Sequence, residues 1–232
     1  MERIEATIRS NFHPRITESG EMAKLLKGRH GRRLARVTRS MGMNSLFDEW
    51  VDPRLSFSIV KVISAGNGSV LLQGNKNLKS SMLARVMRDC TQAVCFIATI
   101  GPALDKAIAR ANAKRNLTAA YLIERIGSAA IEDVVDEFQL LMKKRFQKEH
   151  ADVTLRFSPG YCDWPLTEQK KVFTIVDPAR IGVSLSSSCL MTPKKTVSGI
   201  FGIVPEGNIP YNPCMSCKKK DCSARRLRLR KL

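Results

Sequence analysis

The sequence predicts an α+β fold, a mainly antiparallel sheet with flanking helices. Three observations predict it. Residues 55–74 alternate apolar and polar positions on either side of an Asn-Gly turn signal, which reads as a β-hairpin. Residues 92–101 form an unbroken apolar run ending in Gly-Pro, as a strand covered on both faces would. Residues 117–147 carry a 3.6-residue apolar period, the mark of a long amphipathic helix. The elements do not alternate as regular βαβ units, which excludes a doubly wound parallel sheet.

In chain order, residues 55–63 and 69–74 are the hairpin strands, and residues 77–90 have helical periodicity. Residues 92–101 are the buried strand, and Pro102 suits the first turn of a helix over 102–113. Asn116 starts the long helix, whose buried stripe is Leu117, Ile123, Ile131, Val134, Val135, Phe138 and Met142. Gly127 interrupts that stripe and marks close packing against a neighbour. Arg125, Glu132 and Asp136 fall on one flank of it, where a helix can present charge into a cleft. Residues 153–158 read as a strand entering the turn Pro159-Gly160-Tyr161. Thr167 is placed to cap a helix over 167–176 that stops before Pro178. Residues 181–191 and 196–204 then read as two strands joined by a short turn.

The chain has 232 residues and a net charge of +18, unevenly spread. Residues 1–45 carry ten Lys/Arg against four Asp/Glu, and residues 218–232 carry eight against one. The middle is therefore an ordinary domain between two basic ends, which are either solvated tails or arms that attract anionic partners. Without interleaved aromatics or a nucleic-acid-binding motif, the ends do not argue for nucleic acid. No apolar run approaches the ~20 residues of a membrane span, and the first residues lack a signal-peptide pattern. The expected location is the cytoplasm, with no membrane partner. Seven cysteines, an odd number, do not suggest a disulfide framework. His13, His30 and His150 show no ligand spacing.

The segment Arg156-Phe-Ser-Pro-Gly-Tyr161 combines a guanidinium at a strand end with a turn that exposes backbone. Arg156 can fork onto a carboxylate, Gly160 lets a ligand approach the main chain, and Tyr161 offers a flat face and a hydroxyl. Downstream stands Ser188-Cys-Leu-Met191-Thr-Pro193-Lys-Lys-Thr196-Val197-Ser198-Gly199. This order and spacing resemble the reactivation domain of cobalamin-dependent methionine synthase, with its Arg-x-x-x-Gly-Tyr signature followed by Ser-x-x-Met-x-Pro-x-x-Ser-Val-Ser-Gly. The resemblance implies that fold, and S-adenosylmethionine binding by Arg156, Gly160 and Tyr161, with Ser158 beside the nucleoside. It places Glu132 at the ligand and Asp136 one turn later; read without it, Glu132 is a solvated helix carboxylate paired with Arg125. It implies a methyltransferase-type reaction in trans, the reductive methylation of cobalamin carried by a methionine synthase or another corrinoid protein. The electron donor would be a flavodoxin or ferredoxin. The chain departs from the family where an aromatic pair is expected: it has Phe201 and Gly202, then Tyr211 further on. An early acidic residue of the family site has only Asp48 and Asp52 as candidates.

The organisation is thus a basic arm, partly helical or disordered, over 1–45, an S-adenosylmethionine-binding reactivation domain over 46–205, and a basic Cys-rich tail over 206–232. In the tail, Cys214, Cys217 and Cys222 stand in C-x2-C-x4-C spacing, which suits zinc or an iron–sulfur cluster. The fourth ligand would be Cys162 or Cys189; the other reading is a reduced tail without metal. The tail also supports an alternative function, an iron–sulfur redox partner or scaffold for a corrinoid methyltransferase that does not use S-adenosylmethionine.

Overall fold

The computed structural model describes the backbone of residues 4–9, and residues 50–208 and 211–216. One antiparallel sheet organises them. Its path starts with β4 (Lys76–Lys79), β3 (Ser69–Leu72), β2 (Arg54–Gly66) and β5 (Gln92–Thr99). It continues through β9 (Thr196–Pro205) to β6 (Ala151–Val153). The N-terminal β1 (Ile4–Arg9) pairs with the first half of β2, from Ile4 opposite Ile59 to Arg9 opposite Arg54. The rest of the expected N-terminal arm, 10–45, lies outside the described residues.

Two cores form on the two faces of this sheet. On one face pack α2 (Ala103–Ala113) and α3 (Leu117–Gln147), around a cluster of Phe57, Phe96, Phe138 and Phe201. On the other pack α1 (Ser81–Val86), α4 (Gln169–Ile175) and the buried Trp164. β5 is covered on both sides and is buried at every residue after Gln92, which is why its sequence is an unbroken apolar run.

α3 has the bounds its period predicts. Asn116 caps it by accepting the Ala119 amide at 3.1 Å. Ile123, Ile131, Val134, Val135, Phe138 and Met142 are buried as expected. Leu117 is not: it is 71% exposed, and the stripe begins with Ala119 and Ala120 instead. Gly127 lies under the stem of Lys195, where a Cβ would stand 3.1 Å from Lys195 Cε and 3.2 Å from Leu104 Cδ1.

Four local expectations are corrected. Residues 77–79 are strand, paired with β3, and the helix begins only at Ser81 because the extended Ser80 caps it through the Leu83 amide at 2.9 Å. Residues 154–158 are not a regular strand: Thr154 bonds Gly202 through its amide and its hydroxyl, and the chain then meets β9 again where Phe157 and Ile200 exchange two bonds of 2.8 Å. The helix near 167 starts as a 3-10 turn at Leu166 behind Pro165, and Thr167 does not cap it. Residues 181–191 are not one strand. Gly182 (φ 70°) turns the chain, and only the two-residue strands β7 (Ser184–Leu185) and β8 (Met191–Thr192) pair.

Candidate ligand-binding site

Arg156 reaches α3 because the chain alternates across the edge of β9. Thr154 fixes the register: its amide donates to Gly202 O at 2.9 Å, and its hydroxyl oxygen accepts the Gly202 amide at 2.9 Å. Two residues on, Arg156 points to the α3 face while Phe157 joins the opposite core, stacked on Trp164 at 5.8 Å between centroids.

The guanidinium is held on three sides. Nη2 donates to Glu132 Oε2 at 2.7 Å, and Nη1 donates to Asp136 Oδ1 and to Gln139 Oε1, the latter at 3.3 Å. The Gln139 amide is itself oriented by donating to Thr154 O at 2.6 Å. Side-chain exposure rises outward, from 3% at Arg156 to 10% at Asp136 and 29% at Glu132. Glu132 is thus the member that meets solvent, and the three ionised groups sum to one negative charge. Glu132 pairs with Arg156 and not with Arg125, which is exposed. The fork expected to await a ligand carboxylate is engaged by carboxylates of the chain's own helix.

The stripe on α3 continues one turn at a time to Ser128 and Glu124. Lys195, almost fully buried, donates there to Ser128 Oγ at 2.9 Å and to Glu124 Oε1. Two buried cations, one from each flank of β9, therefore grip one face of α3. Gln139 follows Asp136 by one turn and was not named from the sequence, although the same helical spacing reaches it. Lys195 was not named either, because a lysine beside Pro193 looks like a surface turn residue.

Ser158, Gly160 and Tyr161 form the turn beyond Arg156. Tyr161 N donates to Ser158 O at 3.2 Å, Gly160 N to Trp164 O at 2.8 Å, and Trp164 N to Tyr161 O at 3.0 Å. Gly160 has φ 90°, a conformation closed to most side chains, and Tyr161 is 48% exposed. Asp163 ties this turn to α1. Its carboxylate accepts the Ser80 hydroxyl at 2.6 Å, the Ser81 amide at 2.7 Å and the Met82 amide at 3.1 Å. Desolvation works to raise the Asp163 pKa, but the Ser80 hydroxyl and the amides of Met82, Ser81 and Asp163 itself outweigh it and hold the carboxyl below its usual range. Glu168 repeats the device, accepting the Lys79 amide at 2.9 Å and the Lys171 ammonium at 2.7 Å. Neither acid was singled out from the sequence, since each binds residues some 80 positions earlier.

Of the expected aromatic positions, Phe201 is wholly buried and offers no face, while Tyr211 lies on α1, its hydroxyl 3.5 Å from Met82 Sδ. Asp52 pairs with Arg54 at Oδ2, and Asp48 lies outside the described residues. Cys214 is partly exposed at the start of α5 (Pro213–Ser216); Cys217 and Cys222 lie outside the described residues. Among the described residues, no three potential ligands stand together as a metal site, and no helix is long and apolar enough to cross a membrane.

The fold is that of a solved structure described as the MetH reactivation domain bound to AdoHcy. The match has a TM-score of 0.60 and covers 90% of this chain and 80% of that one. At 12% identity the likeness is one of fold. No curated protein matches the chain. Residues 91–226 match the family described as "Vitamin B12 dependent methionine synthase, activation domain", a stretch that includes α3, the Arg156 cluster, the Gly160 turn and β9. The chain belongs to this family of vitamin B12-dependent methionine synthase activation domains.

Proposed function

We propose that the chain binds S-adenosylmethionine at Glu132, Arg156, Ser158, Gly160 and Tyr161, and supports reductive methylation of an oxidised cobalamin held by a separate methionine synthase or corrinoid protein. The observation that carries this reading is the anionic wall on α3, gripped by Arg156, the residue from which the chain runs directly into the exposed Ser158–Tyr161 turn. Arg156 fixes Glu132 and Asp136 in place, and the trio retains one negative charge. S-adenosylmethionine is the complement, since its sulfonium and ammonium outweigh its carboxylate by one positive charge. Glu132, the most exposed carboxylate, receives the amino group; Arg156 positions it from behind. Tyr161 and the Ser158–Gly160 backbone flank the adenosine.

The cobalamin, when reduced by a flavodoxin or ferredoxin, supplies the electron pair that takes the methyl group, and the sulfur keeps the electrons of the broken bond. Methyl transfer from a sulfonium moves no proton, so the site needs no acid–base pair, and the protein's contribution is orientation. The reaction is a methyltransferase step in trans, in the cytoplasm. The AdoHcy in the structural relative supports the ligand class.

Calorimetric titration of the intact protein tests the reading. Binding of S-adenosylmethionine is expected, weaker for neutral S-adenosylhomocysteine, and reduced about tenfold or more by Glu132→Gln, which removes a charge-assisted contact. Absence of binding by intact, folded protein sinks it and leaves the scaffold alternative.

A further inference from the structure

The proposed ligand carries a carboxylate as well as an ammonium, and Glu132 receives only the second. Arg156 does not serve the first, because its guanidinium is engaged by Glu132, Asp136 and Gln139. The α3 face that presents Glu132 carries Ser128 one turn earlier and Glu124 one turn before that. Lys195, the residue before β9, crosses to this face. Its carbonyl accepts the Ile100 amide at 3.2 Å and the Thr99 hydroxyl at 3.3 Å, which fixes its backbone against the end of β5. Its stem runs over Gly127, where any Cβ would stand 3.1 Å from Lys195 Cε.

The ammonium is therefore held at one place. It donates to Ser128 Oγ at 2.9 Å and to Glu124 Oε1. The Ser128 hydroxyl donates in turn to Glu124 O at 3.0 Å, which leaves its oxygen to accept from the lysine. An ammonium has three N–H donors, and among the described residues these two acceptors take two of them. The Lys195 side chain is 6% exposed and that of Glu124 is 49% exposed. The buried cation needs an anion, whereas Glu124 loses little by returning to water. Another carboxylate can take its place.

Along one face of α3, a cation seated on Ser128 thus precedes the anion of Glu132 by one helical turn, about 5.4 Å. These are the complements of the carboxylate and ammonium that share one carbon in an amino acid. We infer that Lys195, seated on Ser128, binds the carboxylate of the methionine moiety while Glu132 takes its ammonium. The inference rests on the reading that S-adenosylmethionine binds at Glu132, and it makes the site select an amino-acid end and not only a net positive charge.

Decarboxylated S-adenosylmethionine separates the two contacts, since it keeps the sulfonium and the ammonium and lacks the carboxylate. Calorimetric titration of the intact protein gives Kd for both ligands, and the quantity compared is Kd of the decarboxylated ligand divided by Kd of S-adenosylmethionine. Lys195→Met keeps the stem over Gly127 and removes the charge; the ratio should fall about tenfold, the weight of one charge-assisted hydrogen bond. Glu132→Gln should weaken both ligands and leave the ratio unchanged. Glu124→Gln, which alters only a half-exposed side chain, removes the competing carboxylate and should raise the ratio. A parent protein that binds S-adenosylmethionine, with a ratio that Lys195→Met leaves unchanged or Glu124→Gln does not raise, overturns the inference and leaves the Glu132 site standing. A parent that binds neither ligand overturns the site, and the inference with it.

Discussion

Replacing Arg156 by Ala is the sharpest test of how the site is built. The guanidinium is 3% exposed and is shared by Glu132, Asp136 and Gln139. Its loss leaves Asp136, 10% exposed, as a buried carboxylate facing Glu132, and Gln139 Oε1 loses a donor. Breaking a buried pair from one side costs about 3–5 kcal/mol. Glu132 is 29% exposed and can rehydrate, so the lower end, ~3 kcal/mol, is expected. In a domain of this size that lowers Tm by roughly 6–12 °C. Urea unfolding followed by fluorescence reads it, because Trp164 is buried and stacked on Phe157. The double variant Arg156→Met with Asp136→Leu replaces the pair by apolar groups and should recover most of the stability. It should not recover ligand binding, because Glu132 has lost the group that holds it. Arg156→Ala within ~0.5 kcal/mol of the parent, the range of ordinary surface substitutions, would refute the buried pair. A double variant that regains affinity would refute its role in positioning Glu132.

Asp163 gives a pH signature. Its folded pKa is lowered, so its contribution to stability is complete above the unfolded value of about 3.9 and disappears as pH falls through the folded value. The difference in urea midpoint between the parent and Asp163→Asn should therefore be constant above pH ~5 and shrink below ~4; a constant difference down to pH ~2.5 contradicts the clamp. Gly127→Ala should cost about 1–2 kcal/mol despite the ~1 kcal/mol that alanine gains in helix propensity, because its Cβ meets the Lys195 stem and Leu104. In a Lys195→Ala background the penalty should shrink by ~1 kcal/mol, and additivity in that cycle refutes the packing argument.

Much of this was legible because it is periodic. The bounds of α3 follow from Asn116 and a stripe repeated over eight turns, and β5 declares itself by being apolar at every position. Arg156, Glu132 and Asp136 were found because two of them share a helix flank and the third sits at a strand end beside a turn. The errors fall where local pattern and tertiary demand disagree. Residues 77–79 look helical when read together with residues 80–90, but β3 needs a partner and Ser80 is the better cap. Residues 181–191 are β-branched and serine-rich, yet Gly182 and Cys189 both hold positive φ, which no continuous strand permits. Asp163 and Lys195 were invisible because their partners come from distant elements, and single-chain spacing carries no trace of such pairs; of the Glu168 contacts, only the one to Lys171 is local, and the Lys79 amide is not.

The family match begins at residue 91, but the site cannot be divided there. β5, the first matched strand, pairs with β2 along its whole length, from Arg54 opposite Thr99 to Lys61 opposite Gln92. Without β2 one side of an otherwise buried strand has no hydrogen-bonding partner. The Gly160 turn depends on the same region more directly, since Asp163 and Glu168 accept from Lys79, Ser80, Ser81 and Met82, all before residue 91. Arg156 and α3 lie within the matched part and supply the anionic wall; the earlier part sets where the turn stands against it. The proposed site therefore draws on both sides of residue 91: α3 and Arg156 from the matched part, and the residues that clamp the Gly160 turn from the earlier part.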